Sequence, residues 1–204
     1  MRSHRLFVGV SLAIAAAMPA RAADPRYPDW PCTQAKVPEI SAVALWAGPP
    51  LEGAETAWEN DQRVKDLTLQ LAPRRVPIED ARKRISEFVT GNAGEREEKG
   101  KLLFAGLFDR LNRERTEIMN GLERFGRRLK AQAEEIRADI SELHGLQDAG
   151  NPDEAKLREL ASRVEWNTRI FEDRRKTLRY VCEAPTLIER RLFALSRAVQ
   201  EAME

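Results

Sequence analysis

The chain has 204 residues, 34 of them basic and 33 acidic, with charged side chains making up 33% and aromatics 6% of the total. So even a balance gives no field of one sign, which argues against nucleic acid as a partner and limits any membrane contact to a peripheral one. There is no Gly-rich phosphate loop, no HExxH, no GxSxG and no alternating strand pattern, so the chain reads as a protein that is not an enzyme.

Residues 1–22 have the make-up of an export signal. Arg2 and Arg5 precede an apolar run from Leu6 to Met18, and Ala20-Arg21-Ala22 is a small-x-small cleavage site. The run is short of the ~20 residues that span a bilayer. The expected location is the periplasm, after cleavage near Ala23. The alternative is anchorage to the inner membrane by an uncleaved signal. Losing Arg2, Arg5 and Arg21, with no acid, takes the 34 basic residues to 31 against 33 acidic, so the mature chain stays near neutral.

Residues 23–54 read as an extended, Pro-rich strap. Pro25, Pro28, Pro31, Pro38, Pro49 and Pro50 are too dense for regular helix. Trp30 and Trp46 are expected to anchor this strap in grooves between helices; the alternative is that they line a ligand site. Cys32 and Cys182 are the only cysteines, and neither belongs to a CxxC or CxxCH. In an oxidising compartment the pair reads as a disulfide, ahead of intermolecular pairing or reactive thiols. His144 is the one histidine after residue 22, so a Cys/His metal site lacks ligands, and no cofactor is expected.

The rest is helical. A first helix is expected over Glu55–Leu71, with Trp58, Val64, Leu67 and Leu71 facing inward. A second starts at Pro77, a good first-turn residue, and stops at Gly91-Asn92-Ala93-Gly94. A third runs without proline from Glu95 to Gln147, about 53 residues. Phe104, Phe108, Leu111, Ile118, Leu122, Phe125 and Leu129 make a heptad seam, with Arg115 as its polar exception. Asn151 and Pro152 read as the cap and first position of a fourth helix, whose seam is Leu157, Leu160, Val164, Asn167, Phe171, Arg174, Leu178 and Val181. Pro185 breaks it, and a fifth stretch carries Leu187, Ile188, Leu192, Leu195, Val199 and Met203.

Two periodic helices of similar length joined by a short turn imply an antiparallel hairpin. With the turn near Gly150, Gln132 faces Asn167, Arg127 and Arg128 face Glu172 and Asp173, and Arg115 comes near Glu183. The fold class is therefore all-α: a long antiparallel coiled-coil hairpin on a small helical base, with the Pro-rich strap in front. The base takes residues 55–119 together with the C-terminal helix 183–204, and the projecting arm takes 120–182. A rod with so narrow a core is weak alone, which points to a protein partner or to self-association. Gln132 and Asn167 are the register candidates. Arg124, Arg127 and Arg128, with Lys130, form a basic cluster that could touch an anionic surface, although interleaved acids argue against it.

The function expected from this pattern is a scaffold, adaptor or chaperone-like partner in the periplasm, working through the arm. The alternative is an accessory protein that binds a small ligand or cofactor with the Trp-containing strap and the base.

Overall fold

A computed structural model describes residues 24–150 and 153–204. The export signal read in residues 1–22 lies outside the described residues, as do the Asn151 cap and the Pro152 first-turn position.

Among the described residues all regular structure is helical: α1 Ala42–Leu45, α2 Ala54–Ala57, a 3-10 turn Trp58–Asn60, α3 Gln62–Leu71, α4 Ile78–Phe88, α5 Ala93–Gln147, α6 Glu154–Val181 and α7 Ala184–Met203. Three boundaries before residue 100 differ from expectation. The proline-rich segment contains one helical turn, α1, because Pro38 and Pro49 leave a window free between them. The helix expected over Glu55–Leu71 is interrupted at Asp61. Its extended backbone and its carboxylate, which accepts from the Arg63 and Val64 amides, make it the N-cap of a separate α3. Ala93 and Gly94 belong to α5 rather than to the turn before it. Asn92 Oδ1 accepts from the Glu95 amide at 3.1 Å while the Asn92 amide donates to Glu95 Oε2 at 3.0 Å. Gly91, at φ +117°, makes the reversal that lets this box form.

Helix α6 starts at Glu154, two residues later than the expected helix led by Pro152, with Asp153 as its cap, accepting from the amides of Ala155 and Lys156. It ends at Val181. Pro185 falls in the first turn of α7, where its missing N–H is not needed.

The core forms where α3, α4, the first half of α5 and α7 meet. Leu71, Ala81, Ile85, Phe104, Leu107, Leu111, Ile188, Leu192, Leu195 and Val199 are closed to solvent within one cluster. Trp46 joins it from the N-terminal segment, stacked on Phe104 with ring centroids 4.4 Å apart. Arg191 lies in this region with no carboxylate partner among the described residues. Arg191 donates from Nη1 to the Val76 carbonyl at 2.7 Å and from Nη2 to the Leu71 carbonyl at 2.6 Å, closing the C-terminal end of α3. Burial pushes its guanidinium below its usual range.

The N-terminal segment then runs along α5. A disulfide joins Cys32 to Cys182, with Cα atoms 5.7 Å apart, and Gln34 donates to the Cys182 carbonyl. Lys36 pairs with Glu123, and Arg115 donates to the carbonyls of Val37 and Pro38. At Gly126 the Asp29 carbonyl occupies the place a Cβ would take, with Pro31 beside it. Gly126→Ala is therefore expected to lower stability by about 1–3 kcal/mol in a urea titration, since overpacking against main chain outweighs the better helix propensity of alanine.

Candidate functional site

Between residues 114 and 130, α5 presents three sides, set by its turn of 3.6 residues. Ile118, Leu122, Phe125 and Leu129 lie along the seam with its neighbours. Arg115, Met119, Glu123, Gly126 and Lys130 form the side that the N-terminal segment covers. On the third side Glu117, Arg124 and Arg128 are exposed, while Glu114 and Gly121 are half-buried.

A groove of about 300 Å³ opens between α5 and α6, where the seam meets this third side at Gly121. Ile118, Gly121, Leu122 and Phe125 of α5 line it, with Thr177, Leu178 and Val181 of α6. The Thr177 hydroxyl, the one polar side-chain group in that lining, donates to the Asp173 carbonyl at 3.1 Å, so it offers the groove mainly its methyl. Along the same side of α6 lie Ile170 and Trp166, which is 62% exposed. Asp173 and Arg174 lie between these two and the groove on that side.

The expected site residues are distributed differently from one another. Gln132 and Asn167 come together, but Gln132 Nε2 donates to the Asn167 main-chain carbonyl at 3.3 Å and its Oε1 accepts from Arg174 at 2.7 Å. The amide of Gln132 therefore meets a guanidinium, not the Asn167 side chain. Around it, Lys156 pairs with Glu142 at 2.9 Å and Arg163 with Asp139 at 2.8 Å, an order that descends along α5 as it ascends along α6. Among the described residues no ion pair joins Arg127 or Arg128 to Glu172 or Asp173. Arg127 and Lys130 reach Asp29 instead, because the N-terminal segment comes down on that side. Arg115 pairs with Glu189 at 2.6 Å rather than approaching Glu183. Arg124 and Arg128 are exposed and make no ion pair among the described residues.

The two expected anchors are both bonded within their own segment. Trp30 Nε1 donates to the Gln34 carbonyl at 2.7 Å and Trp46 Nε1 to the Pro49 carbonyl at 2.6 Å. A third tryptophan, Trp58, borders a cleft of about 240 Å³ with Lys65, Thr68, Asp109, Arg110 and Arg113. Its indole lies close to Gly106, where a Cβ would sit 3.0 Å from the ring. Trp58 Nε1 and Thr68 Oγ1 are buried there with no hydrogen-bond partner among the described residues.

No family model, no curated protein and no solved structure matches this chain. The site is therefore read from its own chemistry. Among the described residues no three His, Cys, Asp or Glu side chains converge as metal ligands, and no helix is long and apolar enough to cross a membrane. Carboxylates held below their usual range are exposed partners of arginines: Asp24 with Arg26, Glu134 with Arg137, Glu201 with Arg82. Sequence reasoning missed Gly121, Thr177 and Trp166. Trp166 did carry a signal, since it falls between the seam positions Val164 and Asn167, where a buried indole is not expected.

Proposed function

We propose that this chain is an exported, non-catalytic protein of the periplasm that serves as a scaffold or adaptor, binding protein through a coiled-coil hairpin arm built from α5 and α6. The N-terminal segment acts as a strap that ties the arm to its helical base. The observation that carries this reading is the groove between α5 and α6: an apolar surface with its hydroxyl already bonded and Trp166 exposed along the same side. The disulfide is what an oxidising compartment would provide.

Site-specific photo-crosslinking in intact cells tests it. A crosslinking residue at position 166 or 181 is expected to give protein adducts, and one at the exposed Val43 is not. Adducts from position 43 alone, or none at all, would overturn the arm as the binding element. Intact mass of the same purified protein is expected to begin near Ala23; a retained Met1 would remove the periplasmic reading.

A second reading, a small-ligand accessory protein, draws on the cleft beside Trp58. Trp58 and Thr68 both border a space of small-ligand size, and their indole N–H and hydroxyl are buried without a partner among the described residues.

A further inference from the structure

The third side of α5 is self-complementary, and we propose that its occupant is a second copy of this chain, packed antiparallel across a two-fold axis at Gly121. The proposal rests on the reading of the α5–α6 pair as a protein-binding arm and names what that arm first binds.

Glycine usage in α5 supplies the first argument. Glycine is a poor helix former, and in a helix interior it usually marks a close approach. Gly94 and Gly145 lie in the end turns of α5. Three interior glycines have a close neighbour within the chain. A Cβ at Gly100 would strike the Met203 side chain, one at Gly106 would lie 2.8 Å from Thr68 Oγ1, and one at Gly126 would strike the Asp29 carbonyl. Gly121 has none: a Cβ there would meet only the flexible end of Arg124, 3.8 Å away. It also lines the apolar groove. Among the described residues no side chain of another element comes within 4 Å of the place a Cβ would take there.

The charges flanking Gly121 identify the occupant. Glu114 and Glu117 lie on its N-terminal side, Arg124 and Arg128 on its C-terminal side, all on one stripe of the helix. None of the four makes an ion pair among the described residues. Under a two-fold axis at Gly121, residues equally distant from it on opposite sides face each other. Glu114 then meets the second copy's Arg128, Ile118 meets the aliphatic stem of its Arg124, and Glu117 comes beside its Phe125, so Glu114 and Arg128 are the charges that pair. The two-fold repeats each contact, so one stripe supplies two Glu–Arg pairs around a small apolar centre. A parallel copy would set Glu on Glu and Arg on Arg. Thr177 and Val181 of α6 border the same centre, so two such faces stack as four helices, giving the narrow two-helix stretch the second layer it lacks.

Sedimentation equilibrium on the oxidised protein purified from the periplasm tests this. The natural protein is expected to be a dimer. E114R alone sets guanidinium against guanidinium at both contacts, and R128E alone sets carboxylate against carboxylate, so each is expected to weaken association by at least about tenfold. In an equimolar mixture of the two single variants, a heterodimer sets the guanidinium groups of one chain against the carboxylates of the other at both contacts, and should recover the dimer. The double variant E114R/R128E should recover it as well. Circular dichroism melts confirm that each variant folds; both positions lie on the third side of α5. A mixture no tighter than its components would overturn the antiparallel pairing, and a dimer untouched by Gly121→Leu would overturn the axis. If the natural protein is monomeric at every concentration, the homodimer is wrong. Crosslinks from positions 166 and 181 to another protein would then still support the adaptor reading, so the two ideas fail separately.

Discussion

Arg115→Met is expected to cost about 2–4 kcal/mol of folding free energy in urea or guanidinium titrations. The side chain is 1% exposed, and its guanidinium serves three acceptors: Glu189 through Nε, the Pro38 carbonyl at 3.2 Å through Nη1, and the Val37 carbonyl through Nη2. Methionine fills much of the volume but donates nothing. Glu189 is 36% exposed and recovers water, so the loss falls mainly on the two carbonyls, which have no other donor on that side. Hydrogen exchange should accelerate first around Val37–Ile40. Arg115→Lys should recover only a small part, because one ammonium cannot reach three acceptors held by a planar fork. A loss below about 1 kcal/mol for the methionine variant would mean that the N-terminal segment holds its place without this clamp.

Cys32→Ser/Cys182→Ser is expected to lower stability by about 2–5 kcal/mol, read as a lower unfolding midpoint against the oxidised protein. The bond closes a loop spanning a sequence separation of 150, so chain entropy alone allows about 5 kcal/mol. Neither cysteine belongs to the central core cluster, which α3, α4, α5 and α7 form with Trp46. Helicity should therefore persist at low temperature while the segment around Cys32 becomes sensitive to protease. Identical midpoints for the natural and double-serine proteins would show that Trp46, Arg115 and Lys36 already hold the segment fully.

What could be read in advance depended on where each partner sits. The helices themselves were legible because apolar residues repeat with the helical period, as at Phe104, Leu111 and Leu160, which are closed to solvent, whereas Arg174 and Val181 of the expected α6 seam are exposed. The cysteines were legible because their number leaves a single intramolecular pairing. The break before α3 was present in the sequence as Asn60-Asp61, a pair of turn and cap formers, but Val64 and Leu67 continue the apolar spacing and conceal it. Arg191 and Arg115 were not legible as clamps, since their acceptors are main-chain carbonyls that any sequence provides. Nor was the groove. Which side of α5 stays open depends on the path of the N-terminal segment, which Asp29 over Gly126, Lys36 on Glu123 and the disulfide set together.

Taken as a covalent graph, the oxidised chain is a ring with two tails. The ring closes at Cys32 and Cys182 and contains α1 to α6; α7 hangs outside it, attached at Glu183. A single cut after Gly150 would open this ring without dividing the molecule. One piece would carry α1 to α5 and the other α6 and α7, joined by one sulfur–sulfur bond. The core itself is shared between those pieces, since Leu107 and Phe104 lie in one and Leu192 and Val199 in the other. Nicked protein would therefore run as one band on a denaturing gel without reductant and as two with it. Reduction would turn one polypeptide into a non-covalent pair of complementary fragments, held by the same apolar surfaces that fold the intact chain.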